Sequence, residues 1–226
     1  CEKFAVVVDI EFINLQPRIT HENYLSESKC YELTNPEINN GRVVSADFVA
    51  TTIIDCDYWI LKKCYTWDYI QIKNMKYAHK AYLPRPIINS VLELYQKKTV
   101  LKDVVGYEVE YLLSKGMLNS IYGMCVTDVV KENTLYDDEL WLTETPNITD
   151  EIEHYNKSRN RFLYYPWGVW VTGYARANLW SGILSVGDDY VYSDTDSLKL
   201  INYENHLPYI KSFNNTIYDK MVNMMD

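Results

Sequence analysis

The chain has 226 residues, carries 31 Asp and Glu against 22 Lys and Arg for a net charge of −9, and has five cysteines. That length can bury a sizeable core, as one large or two small domains. The acidic balance argues against a simple nucleic-acid binder, whose affinity comes from cations meeting phosphates, and Cys1, Cys30, Cys56, Cys64 and Cys125 lack the paired spacing of a zinc site.

Phe4 to Ile13 is β-branched and aromatic and predicts a strand, with Asp9 and Glu11 as surface carboxylates on one face. Residues 15–75 are mixed. Strand-like runs at Val43–Ala50 and Tyr69–Ile72 flank a helix over Cys56–Cys64, with turns at Asn35-Pro36 and Asn39-Asn40-Gly41. Pro84 and Pro86 precede a helical run, Ile87 to Lys102, in which Lys98 and Lys102 lie one turn apart; Asp103 to Gly106 breaks it before a second helix, Tyr107 to Val126. The short break predicts an antiparallel helical pair.

On the second helix Lys115, Asn119 and Tyr122 are spaced by four and then three residues and share a face. Val109, Leu113, Met117 and Ile121 recur every four residues on the opposite side, which is expected to be the packed one. Residues 73–115 hold eight Lys and Arg against four Asp and Glu, whereas 128–160 hold three against nine, so the basic part of the chain includes this helix.

Residues 127–163 are acidic and turn-rich, with a strand-like run at Glu139–Thr143 and a break at Pro146-Asn147. Gly168 to Val186 is apolar with helical spacing and carries Arg176. The longest charge-free stretch near the middle, Phe162 to Ala175, is too short and too broken by Pro and Gly to span a bilayer, and no signal peptide is visible. A soluble, cytoplasmic chain with reduced thiols is the expectation.

Tyr192-Ser193-Asp194-Thr195-Asp196-Ser197 then sits between Asp189–Val191 and Leu198–Ile201, which reads as a hairpin with two carboxylates at its tip. Two acids so close crowd like charges and are best tolerated beside a divalent cation, Mg²⁺; taken alone, these are also ordinary turn residues. Leu207 to Met225 reads as an amphipathic helix.

Lys115-x-x-x-Asn119-Ser120-x-Tyr122-Gly123 followed by Tyr192-x-Asp194-Thr195-Asp196-Ser197 resembles the second and third polymerase motifs of family B DNA polymerases. Between them, Tyr165-Pro166-x-Gly168 leading to Ala175-Arg176 is similar to the Thr-Pro-x-Gly…Ala-Arg stretch of the protein-primed branch of phages and linear plasmids, with Tyr165 where that pattern has Thr. The resemblance implies an α+β fold: a polymerase palm, an antiparallel sheet backed by helices, with a two-helix fingers hairpin. It divides the chain into a palm portion over 1–76 with a first insertion at about 15–75, fingers over 77–126, a second insertion hairpin over 127–163, and palm with the Asp-Thr-Asp hairpin over 164–226.

By the same resemblance Asp196 and Asp194 are catalytic metal ligands for two Mg²⁺ ions. Lys115, Asn119, Tyr122, Lys98 and Lys102 contact the incoming nucleotide, and Tyr192, Thr195, Gly168 and Arg176 contact DNA. The implied partners are primer-template DNA, dNTPs and a terminal priming protein, with no membrane. The family's other essential Asp belongs to an Asp-x-x-Ser-Leu-Tyr-Pro motif, which does not occur in this sequence and is expected upstream of Cys1. A thumb is expected after Asp226. The chain therefore reads as a fragment of a DNA-directed DNA polymerase, inactive alone. Two rivals remain: a reverse transcriptase-like palm, whose two hairpin acids are adjacent, and a non-enzymatic, acidic, Tyr-rich interaction module.

Overall fold

The β-branched and aromatic residues at the start of the chain form β1 (Phe4–Pro17), four residues longer than the predicted run. Val8, Ile10 and Phe12 point inward at the two-residue period of a strand. Asn14, in the left-handed region at φ +57°, turns the strand so that Leu15 is the next buried residue. This computed structural model describes residues 3–137, 139–159, 161–162 and 164–225, the side chains of 224 and 225 excepted; Cys1 lies outside them.

β1 is the spine of a six-stranded antiparallel sheet. On one side it pairs with β4 (Arg42–Ile54), with Ile10 opposite Thr51 and Phe12 opposite Val49. β2 (Cys30–Thr34) and β3 (Glu37–Asn39) pair with β4 in turn. The β3–β4 turn is Asn40-Gly41, both at positive φ, the primed geometry whose twist matches the strands it joins. A short β5 (Tyr65–Thr66) meets the end of β1, and β6 (Tyr69–His79) runs along its other side. β6 pairs with no further strand among the described residues, and it bulges at Asn74 and Met75, with Asn74 at φ +45°. The mixed segment 15–75 thus lies largely in one sheet with β1.

Helix α1 (Asp55–Cys64) follows β4 directly, and Asp57 in its first turn reaches back to accept from the backbone N–H of Ile54, the residue before the helix, at 3.2 Å. The core gathers Ile10, Phe12, Leu15, Val43, Val49, Leu61 and Tyr65, all fully buried, against Trp180 and Ile183. Tyr65 is satisfied there: its hydroxyl donates to the Val43 carbonyl at 2.6 Å and accepts from the Leu25 N–H at 3.2 Å.

The chain forms two compact units, residues 1–80 with 172–226, and residues 81–171. The second holds α2 (Arg85–Val100), α3 (Glu108–Cys125), the hairpin β7 (Asn133–Asp137) and β8 (Leu140–Glu144), α4 (Ile148–Lys157) and the start of α5 (Tyr165–Val186). Asn147 caps α4, accepting from the backbone of Thr149 at 2.9 Å. The remainder of α5, the hairpin β9 (Tyr190–Asp194) and β10 (Ser197–Leu200), and α6 (Tyr203–Met225) complete the first unit. The described residues are thus a mixture of antiparallel sheets and six α-helices.

Three expectations need correction. α2 stops at Val100, with the Leu101 N–H closing on the Lys97 carbonyl and Asp103 turning left-handed at φ +60°, so Lys102 lies in the connecting turn and not on the helix. On α3 the stripe Val109, Leu113 and Met117 is exposed; the covered face runs through Tyr111, Ser114, Leu118, Ile121 and Cys125, a true 3.6-residue period where a strict period of four drifts around the helix. α6 begins at Tyr203, a turn before Leu207, and carries Pro208 inside it; the ring removes one N–H of the second turn without ending the helix.

Candidate functional site

β9 and β10 form the expected hairpin, with Asp194 paired to Ser197 across the two-residue loop Thr195-Asp196. Thr195 sits at φ +53°, a region costly for a β-branched residue. Its hydroxyl donates to Asp194 Oδ1 at 3.0 Å, and the Ser197 hydroxyl donates to the Asp194 carbonyl at 3.1 Å. Tyr192, Asp194, Thr195 and Asp196 are all exposed, gathered at one end of the ribbon.

The ribbon is held from below. Leu198 packs towards the core, and a methyl placed on Gly182 of α5 would sit 3.1 Å from Leu198 Cδ2, so helix and hairpin approach closely. The Tyr190 hydroxyl lies 3.1 Å from Glu22 Oε2 and 3.0 Å from Ser193 Oγ, and burial pushes this phenol above its ordinary range. At the root, Asp189 Oδ2 is 2.7 Å from His206 Nε2, and Asp189 Oδ1 accepts from Asn202 Nδ2 at 2.9 Å. Those two bonds hold the Asp189 carboxyl below the usual carboxylate range.

Arg176, expected to reach template or primer, is occupied in its own unit. Its Nη2 and Nε donate to Asp57 Oδ1 at 2.9 and 3.2 Å, and Nε also reaches the Tyr24 hydroxyl at 3.3 Å. Tyr24 donates to the same carboxylate oxygen. Burial, then the charge of Asp57, drives the Tyr24 phenol above its ordinary range. One turn earlier, a methyl on Gly173 would lie 2.3 Å from Ile54 Cδ1, so α5 approaches the β4–α1 corner at a distance only glycine permits.

In the second unit Lys115, Asn119 and Tyr122 share an exposed face of α3, as their spacing predicts. Lys115 Nζ stands 6.0 Å above the Tyr111 ring, and Lys98 Nζ 5.6 Å above that of Tyr95. Gly168, expected to contact DNA, is buried instead, with Val126 Cγ1 2.1 Å from where its side chain would begin.

Exposed carboxylate oxygens are what a hard cation such as Mg²⁺ takes, so Asp194 and Asp196 fit part of a magnesium site. Among the described residues no group of three or more His, Cys, Asp or Glu stands together as a metal site. The four described cysteines are free, and burial pushes Cys30 and Cys56 to about 11 and Cys64 to about 12, protonated and poor nucleophiles.

No protein-family model and no curated protein matches this chain. Solved structures do. In fold, the chain is similar to Phi29 DNA polymerase. A structure of that polymerase complexed with primer-template DNA and incoming nucleotide substrates superposes with a TM-score of 0.62 at 16% identity, covering 87% of this chain and 32% of that one. Its orthorhombic crystal form and its post-translocation binary complex with primer-template DNA each superpose at 0.58, with 18% and 17% identity. The chain therefore spans about a third of the length of the solved structures it matches. No described helix is long and apolar enough to cross a membrane.

Sequence reasoning missed the residues that hold α5 and the root of the hairpin. Asp57 had a signal, an acid at the third position of a helix; Asp189 and His206 had none, because their seventeen-residue separation matches no helical or strand period.

Proposed function

We propose that this chain is part of a DNA-directed DNA polymerase of the protein-primed kind, adding nucleotides from dNTPs to a primer hydroxyl. The observation that carries the reading is the Asp194-Thr195-Asp196 tip, presented on a buttressed hairpin in a fold similar to that of a DNA polymerase. Residues 77–126 are read as fingers, 127–163 as the second insertion hairpin, and the remainder as palm with a first insertion at about 15–75.

In this reading Asp196 and Asp194 hold magnesium, which supplies charge neutralisation and an acidified primer hydroxyl. The hairpin backbone keeps both carboxylates outward, and Tyr192 and Thr195 lie beside them to meet the primer end. Lys115 neutralises the triphosphate, with Lys98 and Lys102 adding positive charge. Asn119 and Tyr122 form the wall against which the new base pair stacks. Arg176 acts through Asp57 by fixing α5, and Gly168 through the close packing it allows. DNA, dNTPs and a terminal priming protein are the proposed partners.

The test is primer extension by the complete protein with Mg²⁺. Asp194→Ala and Asp196→Ala are each expected to lower turnover about a thousandfold, several kcal/mol of transition-state stabilisation. Lys115→Ala is expected to raise the KM for dNTP about tenfold with a smaller change in kcat. Wild-type turnover in either Asp variant ends the reading. The 226-residue chain by itself is expected to extend no primer.

A further inference from the structure

We propose that Asp189 is a positioning residue for the two tip carboxylates, acting through Asn202 and His206. The inference rests on the polymerase reading for its consequence and on the first unit's geometry for its cause.

A ribbon of a five- and a four-residue strand has little to fix it: isolated hairpins are marginal, and β9–β10 joins no other strand among the described residues. The pairing also slips once, since Lys199 faces Tyr192 but Leu200 faces Tyr190, leaving Val191 as an exposed extra residue. A further slip of one residue would send Asp194 and Asp196 to the other face of the ribbon. Something must set the register.

Asp189 stands where this can be done. It immediately precedes β9, and its carbonyl accepts from the Ile201 N–H at 3.0 Å, just past the end of β10. Its carboxylate takes Asn202 Nδ2 at 2.9 Å on one oxygen and meets His206 Nε2 at 2.7 Å on the other. One residue thus ties the outgoing strand, the returning strand and the first turn of α6. The neighbouring Asp188 does nothing comparable: its side chain is 95% exposed and 3.9 Å from His21 Nδ1. Asp189 immediately precedes β9 and Asp194 is its last residue, so a shift at one end is transmitted to the other by a fixed length of strand. Outer groups that orient metal-holding side chains change metal affinity by about ten- to a hundredfold when removed.

The experiment compares wild type, Asp189→Ala, Asp189→Asn and Asp194→Ala in the complete protein, reading primer extension against Mg²⁺ concentration and amide hydrogen exchange by mass spectrometry. Asp189→Ala is expected to raise the half-saturating Mg²⁺ about tenfold while the KM for dNTP stays within about twofold. Exchange should quicken over residues 190–200 and not in β1 and β4. Asp189→Asn keeps an oxygen for Asn202 and is expected to recover most of the Mg²⁺ response. An unchanged Mg²⁺ requirement in Asp189→Ala, beside an inactive Asp194→Ala, overturns the proposal and leaves the polymerase reading standing. Equal quickening in both sheets also overturns it, since Asp189 would then be a general stabiliser. If wild type extends no primer, the polymerase reading falls and hydrogen exchange decides alone: quickening confined to 190–200 keeps the clamp, and unchanged exchange removes it.

Discussion

Thr195 holds a left-handed backbone conformation that Asn adopts with much less strain, at the tip where both acids are displayed. Thr195→Asn is therefore expected to raise stability by about 1 kcal/mol in denaturant titrations. The cluster of Tyr24, Asp57 and Arg176 has the opposite character, because the buried Asp57 carboxylate is met by both the Tyr24 hydroxyl and the half-exposed Arg176 guanidinium. Removing the guanidinium with Arg176→Ala leaves the buried Asp57 carboxylate without its countercharge and, because the arginine is half-exposed, is expected to cost about 2 kcal/mol. Tyr24→Phe removes one hydroxyl and is expected to cost about 1 kcal/mol. The sign of the pH response follows from the raised pKa of Tyr24. A proton held more tightly in the folded state adds stability that is complete below the unfolded tyrosine value of about 10 and declines as pH rises above it. Thermal melts from pH 8 to 11 should fall more steeply for wild type than for Tyr24→Phe.

At the scale of elements, α5 is positioned by what it lacks. Gly173→Ala drives a methyl into Ile54 Cδ1, and the expected loss is about 2 kcal/mol. Ile54→Val removes that one atom, so the double variant should lose less than the two single changes combined, as read by a double-mutant cycle in urea. Strands β1, β4 and β8, the start of β6, the helix after β4, the Asn40-Gly41 turn and the acidic hairpin were legible because period, propensity and turn chemistry agree there, whereas the short β2, β3, β5 and β7 carry too few residues to show a period. The packed face of α3 was not legible. Val109, Leu113 and Met117 are apolar yet exposed, while Ser114 is buried, and hydrophobicity does not say which side of a helix its neighbour occupies. Lys102 was misplaced for a related reason: Lys97 to Lys102 has no Gly or Pro to mark a helix end, and the left-handed residue of the turn, Asp103, lies beyond them. Nor could spacing have brought Asp189 to His206, since the whole β9–β10 hairpin separates them and the chain must double back to bring them together.

For the whole molecule, burial is distributed unevenly. Of the buried hydrophobic side chains among the described residues, only Cys125 belongs to residues 81–171; the others lie in residues 1–80 and 172–226. Local stability follows buried apolar contact, so amides of α2, α3 and the β7–β8 hairpin are expected to exchange well before those of β1 and β4, measured by native-state hydrogen exchange. The edge strand β6 carries a separate consequence. Among the described residues no strand pairs with the outer side of its eleven residues, and Tyr69, Ile72, Met75 and Tyr77 are exposed alongside. Such an edge invites self-association into fibrils. What guards it is the kink at Asn74 and the cationic Lys73 and Lys76 flanking that kink. A chain in which these lysines were neutralised would lose both the Lys73–Glu11 pair across β1 and β6 and the charges that oppose strand addition at that edge.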